Sequence, residues 1–206
     1  MEIKRFTLGD IKSNCYIVVK NQHALVIDPG YDSMAVKQFL KDNDLVVDII
    51  YATHGHFDHI GGINALKALY PKAEVIAPKL DAVFFDPALG ISRLGYKVHV
   101  DNWLDSDIEQ EISFQDLVFK VIHTPGHSQG GTSLYLASEG VLFSGDTLFY
   151  MTVGRTDLYL SSFEDIKDSL QNKLYLLPDN TICYPGHGRT THIGFEKKYN
   201  SVVRMA

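Results

Sequence analysis

The chain has 206 residues, 45% hydrophobic and 21% charged side chains, and a formal net charge of −6. That mixture excludes an intrinsically disordered chain and a disulfide-stapled mini-domain, and its length fits one domain, 1–206, at roughly 100–200 residues per domain. The acidic balance lacks the clustered Lys and Arg that a broad grip on nucleic acid or a polybasic membrane anchor needs.

The first residues, MEIKRFTLGDIKSN, contain no apolar core of a secretory signal. Next, residues 15–20 and 24–27 flank Asn21-Gln22-His23 and read as a hairpin. Asp28-Pro29-Gly30 ends the second strand, and Val36, Phe39 and Leu40 repeat at helical spacing behind a cap at Asp32 or Ser33. Residues 45–52, LVVDIIYA, have the continuous apolar pattern of a strand covered on both faces. Ile60, Ile63, Leu66 and Leu69 form a helical stripe, residues 74–77 a short strand, and residues 79–95 a helix followed by a loop. Residues 84–91 of that stretch read equally as an apolar lid or as a core or dimer contact.

In the second half, residues 117–123, 132–137 and 141–144 are predicted strands of a mainly antiparallel sheet. Ser161-Ser162-Phe163-Glu164 resembles a capping box opening a helix that buries Phe163, Ile166 and Leu170. Residues 181–184 form a last strand, and a final helix starts near Thr191. No apolar run reaches the roughly 18 residues of a membrane span. Cys15 and Cys183 are expected as free, buried thiols in a reducing compartment, so a cytoplasmic protein without membrane or nucleic-acid partners is expected. Strands and helices interleave as two facing sheets with helices outside.

The strongest chemical signal follows the strand ending at Ala52: Thr53-His54-Gly55-His56-Phe57-Asp58-His59. His54 and His56 project to one side of an extended backbone, while Asp58 and His59 enter the next helix. This order suits two adjacent metal sites better than one. His127, Asp146 and His187 each lie just past a strand and beside a glycine. Imidazole and carboxylate donors suit zinc, iron or manganese, and no thiolate is available for a soft structural site. His23 is expected in a turn, His99 in a strand or loop, and His123 and His192 as packed or exposed residues, with support of the metal ligands as the alternative.

The THxHxDH motif with its later His, Asp and His resembles the metallo-β-lactamase superfamily. Asn14-Cys15-Tyr16, residues 26–30, residues 123–128 and Gly145-Asp146-Thr147-Leu148-Phe149 resemble its hydroxyacylglutathione hydrolase (glyoxalase II) branch. The resemblance implies an αββα four-layer sandwich of the α/β class, without the helical C-terminal domain of the longer glyoxalase II enzymes. It implies two divalent ions, with zinc expected and iron or manganese admissible. His54, His56 and His127 would hold one ion, Asp58, His59 and His187 the second, and Asp146 both.

The expected reaction is attack of a metal-bridging hydroxide on the carbonyl carbon of a thioester, such as an S-2-hydroxyacylglutathione. Asp58 would orient that hydroxide, so Asp58 and Asp146 are the candidate catalytic residues. Tyr150 and Arg155 are candidate substrate contacts, because a Gly-then-basic pair such as Gly154-Arg155 resembles the glutathione contact of relatives. Asp157 stands where an aromatic follows in those relatives; the competing role of Arg155 is a surface pair with Asp157. The alternatives are a mono-iron persulfide dioxygenase using His54, His127 and Asp146, suggested by Gly154-Arg155-Thr156-Asp157, and hydrolysis of lactones or other esters. A small-molecule substrate and a monomer or homodimer are expected.

Overall fold

In the computed structural model, which describes residues 1–89, 91–106 and 110–205, the first six strands form one sheet in sequence order. They are Glu2–Leu8 (β1), Ser13–Lys20 (β2), His23–Ile27 (β3), Val46–Tyr51 (β4), Glu74–Pro78 (β5) and Asn102–Leu104 (β6). β1, β2 and β3 run antiparallel, whereas β3 through β6 are parallel. The parallel strands are apolar on both faces: Val26, Ile27, Ile50, Tyr51, Val75 and Ala77 are all fully buried. The expected hairpin is present one residue tighter. Asn21 and Gln22 take positive φ (51° and 63°), the two-residue turn whose twist suits paired strands, and His23 already pairs with Lys20.

Helix Met34–Asp42 (α1) starts where the Ser33 hydroxyl accepts the Val36 N–H, and it buries Val36 and Leu40. The helical stripe after β4 is two helices, Phe57–Ile60 (α2) and Ile63–Leu69 (α3). The break has a tertiary cause: the Gly62 N–H donates to the Pro29 carbonyl at 2.7 Å instead of continuing one helix. Leu69 is exposed, so the buried stripe stops at Leu66. After β5 come a 3₁₀ turn at Lys79–Asp81, helix Ala82–Phe85 (α4) and a 3₁₀ turn at Pro87–Leu89. Phe84 and Phe85 are buried in the core of this sheet and Leu89 is exposed; Gly90, within the stretch read as a lid, lies outside the described residues.

The second sheet has the order β14-β13-β10-β9-β8-β7. Its strands are Gln110–Phe114 (β7), Leu117–His123 (β8), Thr132–Leu136 (β9), Val141–Gly145 (β10), Ile182–Pro185 (β13) and Thr191–His192 (β14). β10 pairs in parallel with β13, while β8–β9, β9–β10 and β13–β14 are antiparallel, as the second-half pattern predicts. Leu148–Phe149 (β11) and Thr152–Val153 (β12) make a separate ribbon around the turn Tyr150-Met151.

Helix Phe163–Gln171 (α5) opens with the Ser162 hydroxyl accepting the Asp165 N–H at 3.2 Å. The reciprocal half of a capping box is absent, because the Ser162 N–H donates to the Gly126 carbonyl. Ile166 and Leu170 are buried, whereas Phe163, expected inside, is exposed. The last helix is Ile193–Tyr199 (α6). The fully buried Glu196 carboxylate accepts from the Thr191 hydroxyl, the Met151 N–H and the Asn200 amide, which ties α6 to β14 and to the ribbon.

The chain divides into two units, residues 1–105 with 114–116 and residues 106–113 with 117–206. Among the described residues no helix is long and apolar enough to cross a membrane.

Candidate metal centre

In the first unit the donors gather where β4 gives way to α2. His56 occupies the residue before α2 in extended conformation (φ −68°, ψ 144°), so the chain turns there and Asp58 and His59 fall in the first helical turn. His54, Asp58 and His59 are buried. The His54 ring lies 4.8 Å from that of His56 and 4.2 Å from that of His59, centroid to centroid. Phe84 stands edge-on against His56 at 5.0 Å. The loop is held from below: the Gly55 N–H donates to the buried Asp81 carboxylate at 2.8 Å, and the Ser13 hydroxyl donates to the Asp58 carbonyl at 2.7 Å. Gly30 has to be glycine, since a Cβ there would stand 1.5 Å from the Asp58 carbonyl oxygen.

Asp28, just past β3, organises this half. Its Oδ1 accepts the Thr53 N–H at 2.7 Å, and its Oδ2 accepts the Thr53 hydroxyl at 2.7 Å and His59 Nδ1–H at 3.0 Å. Asp28, His54 and His59 therefore offer atoms within 4.8 Å of one another, but Asp28 already receives three donors and acts as support for the imidazoles. The donors also fix the tautomers. Thr53 spends its hydroxyl proton on Asp28, so its oxygen accepts from His54 Nδ1–H at 3.1 Å. Both histidines thus carry their proton on Nδ1 and present the Nε2 lone pair.

In the second unit the exits of β8, β10 and β13 carry His127, Asp146 and His187. The register between β10 and β13 shifts between Phe143 and Gly145, and Gly145 takes φ 49°, which turns the chain out of the sheet just before Asp146. His127 Nε2 and His187 Nε2 both face Asp146 Oδ2, at 3.3 and 3.4 Å. His127 Nδ1 lies 2.9 Å from the Arg155 main-chain carbonyl, which can only accept, so the proton again sits on Nδ1. Phe149 stands edge-on to His187 at 5.9 Å.

These spacings fit a divalent cation. Two ligand atoms each about 2.0–2.1 Å from a tetrahedral ion stand roughly 3.3–3.4 Å apart. The two imidazole contacts of Asp146 match that edge, and so does His59 Nε2 to Asp58 Oδ2 at 3.3 Å in the first unit. The pairs Asp58–His59, Asp146–His127 and Asp146–His187 are therefore each spaced as two ligands of one ion would be.

The two expected substrate contacts have specific surroundings. The exposed Arg155 guanidinium forks onto Asp157, Nε to Oδ1 and Nη2 to Oδ2, both at 2.9 Å. Tyr150 stacks on Phe195 at 5.4 Å and 13° between planes. Of the four remaining histidines, His23 pairs with Asp48, His99 with Asp101, His123 meets the Gln129 carbonyl, and exposed His192 pairs with Ile182 in the β13–β14 ladder. His23 is the first residue of β3, not a turn residue. Sequence reasoning assigned no role to Asp28, Thr53 or Asp81. Asp28 had one readable signal: a carboxylate ahead of Pro-Gly, at a strand end neighbouring the strand that leads to His54. Cys15 and Cys183 are free and buried, as expected.

The profile of the metallo-beta-lactamase superfamily matches residues 8–187, a span that takes in every donor above. Among solved structures, BLEG-1 B3 metallo-β-lactamase is 37% identical with TM-score 0.88, covering 97% of this chain and 98% of its own. TTHA1623, solved in a di-iron-bound form, is 30% identical with TM-score 0.82, over 96% and 98% of the two chains. The hydroxyacylglutathione hydrolase of Aeromonas hydrophila is 38% identical over 175 residues, 85% of this chain and 61% of that protein. On this evidence the chain belongs to the metallo-β-lactamase superfamily and has its αββα fold.

Proposed function

We propose that the protein is a dinuclear metal-dependent hydrolase of thioesters of the S-2-hydroxyacylglutathione kind. The observation that carries the reading is the facing of two Nε2 atoms, from His127 and His187, onto the one oxygen Asp146 Oδ2. A carboxylate so placed suits a ligand common to two ions. His54, His56 and His127 would hold one cation, Asp58, His59 and His187 the other, and Asp146 both. When bound, such a pair supplies Lewis acidity that lowers the pKa of water and polarises a carbonyl group.

The chain's own groups prepare that chemistry. The protons on Nδ1 of His54, His59 and His127 are engaged by Thr53, Asp28 and the Arg155 carbonyl, which leaves three Nε2 lone pairs oriented before any ion arrives. Asp58, fixed through its own carbonyl by Ser13, would accept a hydrogen bond from the attacking water and align it. A thiolate leaves readily, so no strong general acid is required. Likeness to the Aeromonas hydrolase supports the thioester, and likeness to a protein with two irons supports a metal pair of open identity.

A second reading, β-lactam hydrolysis, is favoured by the 37% identity with a B3 metallo-β-lactamase. Persulfide oxidation on one iron and lactone hydrolysis compete on the same donors. One experiment separates them: metals per chain by elemental analysis, with assays on S-lactoylglutathione, a lactone, a cephalosporin and glutathione persulfide with oxygen recording. Two metals and preferred thioester turnover are expected. One iron with oxygen consumption, or preferred cephalosporin turnover, overturns the proposal. Asp146→Ala should lose metal together with at least about a hundredfold in rate; a variant retaining both metals and full turnover refutes the shared role.

A further inference from the structure

Two cationic side chains flank the donors of the second unit, and their charges are in opposite situations. Arg155 is matched by the Asp157 carboxylate through two 2.9 Å bonds. Arg189, two residues beyond His187, has no carboxylate within ion-pairing distance among the described residues. It is nonetheless placed: its guanidinium carbon lies 3.4 Å above the centre of the Tyr150 ring. A cation over the ring at that distance is held by its π face, and the ring accepts none of the in-plane N–H groups of the exposed guanidinium.

The platform beneath is itself fixed. Tyr150 stacks on Phe195, and Phe195 meets Tyr199 at 5.0 Å. The ribbon carrying Tyr150 is secured on both sides of its turn. The Met151 N–H donates to buried Glu196, the Met151 carbonyl accepts from the Ser201 hydroxyl at 2.6 Å, and the Thr152 carbonyl accepts from the Asn200 amide at 3.0 Å. A solvated arginine ordinarily loses much side-chain freedom when it captures an anion. Here the contact with Tyr150 has already removed part of that freedom, so a carboxylate meets a partly ordered donor capable of a bidentate pair.

We infer that Arg189, held over the Tyr150 ring, is a specificity-determining residue that binds a carboxylate on the substrate, and so selects acidic thioesters over uncharged ones. The inference rests on the proposed hydrolysis for its setting, but its binding prediction stands separately.

The test uses metal-loaded protein and two probes: S-methylglutathione, which carries carboxylates, and S-methyl-N-acetylcysteamine, which has none. Calorimetry should show R189A binding S-methylglutathione about tenfold more weakly, with R189K in between and Y150L as weak as R189A. The kcat/KM ratio for S-acetylglutathione over S-acetyl-N-acetylcysteamine should fall by the same factor in R189A. Equal weakening toward both probes, no weakening, or full rescue by lysine overturns the inference; so does wild-type protein that binds the charged probe no better than the neutral one. Arg189-dependent binding without any thioester turnover would keep the anion site and discard the thioester reading.

Discussion

Replacing Asp28 by Asn tests whether the donor set is organised from beneath. The Asp28 carboxylate is buried and accepts three hydrogen bonds, at 2.7, 2.7 and 3.0 Å. An asparagine of the same shape has one acceptor oxygen. If that oxygen keeps the Thr53 N–H, the amide nitrogen confronts two further donors, the Thr53 hydroxyl and His59 Nδ1–H. The hydroxyl can rotate, but the imidazole can escape only by moving its proton to Nε2, which removes the lone pair that a metal needs. Leaving one buried donor unsatisfied costs about 1–3 kcal/mol, so the metal-free variant should lose that much stability. Losing the support of a ligand histidine typically reduces metal affinity about 10–100-fold. Competition against a chromophoric chelator reads the affinity, and urea unfolding of the stripped protein reads the stability. A variant that unfolds like wild type and holds both ions undiminished would refute the assignment of Asp28 as the group that sets the His59 tautomer.

Three other expectations concern the packing around this core. Gly154→Ala would place a Cβ 1.9 Å from the Asp146 carbonyl oxygen and 3.1 Å from His127 Cβ; a loss of about 1–3 kcal/mol or more, read by urea midpoint, should accompany reduced metal content. Burial alone would raise the Asp101 carboxyl, but the Lys67 ammonium, the Val75 N–H and His99 outweigh it and hold the group well below its ordinary 3.8. A folded value below the unfolded one means stabilisation that is present above about pH 4 and lost as pH falls through the folded value. Asp101→Asn should therefore melt lower than wild type at pH 7, with the gap narrowing at pH 2; a constant gap contradicts this. Burial pushes the Cys183 thiol up to about 12, partly offset by the Ser144 hydroxyl, and burial together with Asp28 raises Cys15 further. An aromatic disulfide reagent at pH 8 should label neither thiol in native protein and both in denaturant.

The elements that were legible in the sequence are those whose cause is local. The continuous apolar runs of β3 to β5, the serine caps of α1 and α5, and the hairpin turn all announce themselves within a few residues. β1 escaped because the exposed charged side chains Glu2, Lys4 and Arg5 fall on both faces of this edge strand and break the alternation. β6, β11, β12 and β14 are ladders of two or three residues, too short for any periodicity. The split between α2 and α3 was hidden because it depends on Pro29, far back in the chain. The site divides the same way. The candidate donors cluster by type and spacing, so the sequence marks them as a group. The support of His59 by Asp28 spans 31 residues and that of Gly55 by Asp81 spans 26, and such pairings exist only after folding.

The acceptor for His127 is the main-chain carbonyl of residue 155, not a side chain. Substitution at 155 can therefore change the charge of the surface while the imidazole keeps its orientation, provided the backbone path is preserved. The side chain at that position is thereby uncoupled from the orientation of the imidazole, which depends on the main chain alone.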